Sequence, residues 1–93
     1  MSYPMRISIH VPDTQYYIEV DYKKSECNKE PAHCHVFNAK GVRLAQIWLK
    51  SRTFKTIPNN ISSDDCSKII RAVSIHRYEI EEAYIFNSRN GLE

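Results

Sequence analysis

Two histidines one residue apart, His33 and His35, lie in the run Glu30-Pro31-Ala32-His33-Cys34-His35-Val36. Alternate side chains of a strand share a face, so the imidazoles stand side by side with Cys34 behind them. Such a pair can ligate a metal, move a proton or meet a phosphate, and each use needs partners from elsewhere in the chain. For a metal, His33 and His35 would be two ligands, with Cys27, His10 or His76 as a third. Zinc accepts that mixture, but structural zinc sites want four ligands and usually show local pairs. With one pair in view, no metal or cofactor is expected. For ribonuclease chemistry one imidazole is the base and the other the acid. Arg43 or Lys50 would then hold phosphate, and Phe37 or Trp48 would stack a base. No carboxylate is visibly placed to orient either ring.

The remaining nucleophiles are weaker candidates. The histidines beside Cys34 in sequence face away from it on a strand, and Cys66 falls on an apolar helical stripe. His76 occupies that stripe between Val73 and Ile80. It is either a core histidine with one partner or the residue that completes the His33–His35 site across a helix–sheet interface.

The elements that must position these groups follow from periodicity. Ile7, Ile9 and Val11 alternate with Arg6, Ser8 and His10, which makes Met5 to Val11 a half-buried strand. After the turn residues Pro12-Asp13-Thr14 comes a second strand, Tyr16 to Tyr22, with Tyr16, Ile18, Val20 and Tyr22 opposite Tyr17, Glu19 and Asp21. Lys23 to Pro31 is polar and reads as an exposed connection.

His33–Asn38 and Arg43–Lys50 form a hairpin, and two arguments about its register conflict. A four-residue loop, Ala39-Lys40-Gly41-Val42, puts Cys34 and Val36 on one face with Ala45, Ile47 and Leu49. It leaves His33, His35 and Phe37 beside Leu44, Gln46 and Trp48. Asn38 and Gly41 also suit a three-residue loop, which shifts the pairing by one and reverses every side chain. A whole buried face outweighs one turn, so the first register is expected, with the histidine face the more open. Ser51 to Asn60 is irregular. Ser62 or Ser63 then caps a helix whose first turn holds Asp64 and Asp65. Cys66, Ile69, Ile70, Val73, His76, Ile80 and Tyr84 recur at steps of three and four as far as about Phe86. The expected fold is α+β: an antiparallel sheet of about four strands with one long C-terminal helix on one face.

Composition agrees with one small domain spanning residues 1–93. At 42% hydrophobic and 26% charged the chain is ordinary globular material. No apolar run approaches the roughly 20 residues of a membrane helix, and no signal peptide opens the chain. Three irregularly spaced cysteines suit reduced thiols, so a soluble cytoplasmic protein is expected. Net charge is only +2, yet Pro31 to Ser63 contains no Asp or Glu while holding Lys40, Arg43, Lys50, Arg52 and Lys55. This asymmetry marks either an anionic partner or a solvated rim whose lysines discourage edge-to-edge pairing.

The Glu-Pro-Ala-His-Cys-His-Val start, the return Ala45-Gln46-Ile47-Trp48-Leu49 and the helical Ile75-His76-Arg77-Tyr78-Glu79-Ile80 together resemble the family called domain of unknown function 4160. The resemblance runs from Glu30 to Phe86 and points to Pro31, His33, His35, Val36, His76 and Glu79. Pro31-Ala32 replaces a double proline, and Tyr84 and Phe86 stand near where the family's late helical tryptophan falls. The resemblance implies a partner encoded alongside, in a toxin–antitoxin-like arrangement. The expected function is therefore non-enzymatic binding of a protein partner, with RNA or DNA as the other possibility. The expected surface is His33, His35, Phe37, Arg43, Trp48 and Lys50. A metal-independent ribonuclease using His33 and His35 is the first alternative. An inhibitor of a nucleic-acid-handling complex is the second. Open strand edges also allow a homodimer.

Overall fold

The computed structural model describes residues 3–93. In chain order the elements are β1 (Ser8–His10), β2 (Tyr17–Glu19), α1 (Lys24–Asn28), β3 (His33–Phe37), β4 (Arg43–Trp48), β5 (Thr53–Phe54), α2 (Ser63–Ile75) and α3 (Arg77–Asn90). The strands form one antiparallel sheet in sequential order, so each pairs with its chain neighbour. The α+β class is as expected. The sheet gains a fifth short strand from the segment read as irregular, and α1 interrupts the connection read as exposed, burying Cys27.

The single long helix expected at the C-terminus is two helices. His76 leaves helical geometry at φ −97° and ψ 17°, between α2 and α3. At this junction the His76 ring nitrogen Nδ1 pairs with the Glu79 carboxylate, three residues on. Each helix keeps its own buried stripe: Ile69, Ala72 and Val73 on α2, and Ile80, Ala83 and Asn87 on α3. The break lets both stripes meet a twisted sheet that one straight rod would leave. Of the two serines expected as candidates, Ser62 caps α2, its hydroxyl accepting from the Asp65 amide at 3.1 Å.

The hairpin satisfies both register arguments. The Gly41 amide bonds to the Asn38 carbonyl and the Asn38 amide to the Val42 carbonyl, each at 3.0 Å. Gly41 has φ +79°, which glycine adopts without strain, so the loop is the three-residue kind. The slip this loop imposes is absorbed by a bulge. Phe37 faces Arg43 but Val36 faces Ala45, leaving Leu44 as the extra residue. Cys34 thus pairs with Ile47 on the core face, and His33 with Trp48 on the other.

The core gathers Val11, Tyr16, Ile18, Val20, Cys34, Val36, Ile47 and Leu49 from the sheet with Ile69, Val73, Ile80 and Ala83 from the helices. Asn87 is its polar clamp. The fully buried side-chain amide accepts from the Met5 amide at 2.6 Å and donates to the carbonyls of Met5 and Asp21, each at 2.9 Å. Next to it, Gly91 lies where an added Cβ would meet the Tyr22 carbonyl at 2.4 Å, so only glycine fits that approach.

Candidate functional site

The histidine face is closed, contrary to expectation. His33 and His35 are each 3% exposed, and four consecutive residues of β3 are buried on alternating sides. On the side away from the core, His35 lies between Glu19 of β2 and Gln46 of β4, with His33 beside Trp48. The segment leading into β3 closes over them. Glu30 accepts from Gln46 at 3.4 Å and from Lys55 at 2.6 Å, and the Pro31 carbonyl lies 2.8 Å from His33 Nδ1. The rings meet edge to face at 5.0 Å between centroids, and Tyr84 of α3 packs on His33 at 5.9 Å.

At the centre is Asp21, with a side chain 8% exposed. Glu19 faces His35 across the β2–β3 ladder, so two residues further on Asp21 comes level with His33. One carboxylate oxygen, Oδ2, accepts from His35 Nε2 at 2.8 Å and from His33 Nε2 at 3.0 Å. The other, Oδ1, accepts from Arg43 Nη2 at 3.1 Å. Burial alone would push this carboxyl up. The hydrogen bonds from both histidines and the charge of Arg43 outweigh it and hold Asp21 far below the usual carboxylate range.

Both ring nitrogens of His33 meet acceptors, Asp21 and the Pro31 carbonyl, so both must carry protons. Its pKa is accordingly raised, chiefly by the Asp21 bond against the opposing effect of burial. His35 donates through Nε2. Its Nδ1 is the one buried side-chain nitrogen or oxygen without a partner among the described residues.

The other expected site residues are dispersed. Phe37 and Trp48 are half-buried, and Arg43 is exposed with its guanidinium 5.6 Å from the Phe37 ring centre. Lys50 lies on the helix side, lining a hollow with Ala32, Leu49, Glu81, Tyr84 and Ile85. Its expected place beside Trp48 is taken by Lys55, whose ammonium is 5.7 Å from the indole. His76 does not reach the pair, because it sits at the α2–α3 junction bonded to Glu79, and Tyr84 makes the contact from α3. His10 bonds the Thr14 carbonyl at 2.7 Å. Cys27 donates to the Asp21 backbone carbonyl, with burial pushing its thiol up to about 11. None of the three proposed third metal ligands joins the histidines; Asp21 does. Its donor atom and those of His33 and His35 all lie within 4.8 Å of one another. Cys34 is in the core, and burial pushes its thiol up to about 12, which leaves no nucleophile there.

Sequence reasoning placed Asp21 on the face of the second strand opposite Ile18 and Val20 and stopped there. The available signal was that face itself, since β2 and β3 pair around one connection and their outward residues must meet. The acid-free segment also looks different in space, because Asp21 and Glu30 from outside it neutralise Arg43 and Lys55.

Among the described residues no helix is long and apolar enough to cross a membrane. A profile of the family described as Domain of unknown function (DUF4160) matches residues 22–84. No curated protein and no solved structure matches the chain.

Proposed function

The chain belongs to the DUF4160 family, and from that premise we propose that it works by binding a protein, as one component of a toxin–antitoxin-like two-protein module. The observation that carries this reading is the pair of cation–aromatic contacts, Arg43 over Phe37 and Lys55 over Trp48, on the sheet face away from the core. Aromatic and arginine side chains on a rigid sheet are the usual anchors of protein interfaces. The charge around them favours a protein over nucleic acid. Glu19, Asp21 and Glu30 share the neighbourhood with Arg43 and Lys55, so there is no uniformly basic track for a phosphate backbone.

The histidines support the reading from below by fixing the strands on which the anchors stand. Ribonuclease chemistry at His33 and His35 is the second reading, and Asp21 supplies the orienting carboxylate it lacked. At 3% exposure, however, neither ring meets RNA unless the Glu30–Pro31 segment moves away.

The test titrates into isotope-labelled chain a protein that co-purifies with it, the partner this reading requires. Amide shifts are expected at Phe37, Arg43, Trp48 and Lys55, and Trp48→Ala should weaken binding by about 30-fold or more. RNA cleavage by the wild type that is lost in a His33→Ala/His35→Ala variant and indifferent to chelator would replace binding with catalysis.

A further inference from the structure

We infer that Asp21, His33 and His35 form a binding site for one divalent transition-metal ion, with zinc as the fitting ion. The inference concerns the buried cluster alone and stands whether or not the rim binds a partner. Its basis is convergence. The Nε2 atoms of His35 and His33 on β3 lie 2.8 and 3.0 Å from Oδ2 of Asp21, two residues past the end of β2, and the three donor atoms all lie within 4.8 Å of one another. Two nitrogens and an oxygen held in place by this cluster are a donor set that zinc and its first-row neighbours accept.

The surroundings are those of metal ligands. The Pro31 carbonyl accepts from His33 Nδ1–H, which keeps the proton on Nδ1 and makes Nε2 the nitrogen free to bind an ion once its own proton is lost. Arg43 holds Asp21 by Oδ1 and leaves Oδ2 turned to the imidazoles. Tyr84 and Trp48 pack on His33 and restrict its rotation. On binding, the ion takes the place of both Nε2 protons: that of His33 passes to solvent, and that of His35 is replaced by a proton on its Nδ1. His33 and His35 are then neutral ligands and Asp21 the anionic one. The cost falls on His35, whose Nδ1 would carry a buried proton without an acceptor. A metal–imidazole bond exceeds that cost. Three protein ligands leave a position for an exogenous one, as in zinc sites that are not closed by a fourth side chain.

The experiment uses the untagged full chain, stripped with chelator and titrated with Zn(II) and, in parallel, with Co(II). One equivalent per chain is expected. The imidazole Nε2 resonances of His33 and His35 should move, while those of His10 and His76 stay in place. Asp21→Asn should lower zinc affinity by about 100-fold or more, and a His10→Gln/His76→Gln variant should keep the full equivalent. No stoichiometric binding by the folded wild type, or shifts confined to His10 and His76, would overturn the site. The wild-type resonances decide the matter even where Asp21→Asn does not fold.

Discussion

The two faces of this sheet are stabilised by different physics. Toward the helices, Ile18, Val36, Ile47, Ile69, Val73 and Ile80 are each fully buried and hold by apolar area and close packing. On the other face, Asp21 draws in His33, His35 and Arg43 through directional bonds to its two oxygens. The apolar face spreads its stability over many contacts and accommodates small losses. The polar face concentrates it in one carboxylate, and removing that group leaves the two buried histidines without it.

The largest test of this contrast is Asp21→Ala. It strands a buried imidazolium and frees Arg43, and it is expected to destabilise the fold by about 3–5 kcal/mol in urea denaturation. A smaller loss would mean the histidines find other partners and the two faces are alike. Asn87→Ala leaves the Met5 amide and the Asp21 carbonyl unsatisfied, and should cost about 1–3 kcal/mol by the same assay. On the apolar face Ile47→Val removes one methylene group and should cost only about 0.5–1.5 kcal/mol.

The pH dependence sharpens the comparison in chelated protein. His33 is raised above its ordinary 6.5, so its contribution is complete below that pH and declines as pH rises through the higher folded value. Asp21 is depressed below 3.8, so its contribution is complete above that pH and declines as pH falls toward the lower folded value. The cluster therefore contributes most between these limits. The urea midpoint should fall on both sides, and Asp21→Asn should flatten both limbs. The smallest effect belongs to Arg43→Ala. That side chain is half exposed, so its loss should change stability by about 0–1 kcal/mol while weakening partner binding.

Much of the scaffold was legible along the chain. Alternation assigned Cys34, Val36 and Ile47 to the core, Ser62 announced α2, and steps of three and four marked Ile69, Val73 and Ile80. The Asn38–Gly41 turn signal was also sound, and the bulge at Leu44 reconciled it with the burial pattern. The break at His76 was not legible, because its ring and Glu79 fit a continuous helix pattern equally well.

By itself, then, the sequence determined that His33 and His35 share one face of their strand and that Cys34 turns away from them. Side-chain alternation is a property of each strand's own backbone, and it needs no knowledge of neighbours. Only the tertiary structure decided that the pair is buried, that Asp21 rather than His76 completes it, and that Lys55 rather than Lys50 sits over the indole. Desolvation depends on which segment closes over a face, and partners arrive through the register between strands, which no single strand's pattern contains. Asp21 and His35 are 14 residues apart along the chain and 2.8 Å apart in the fold.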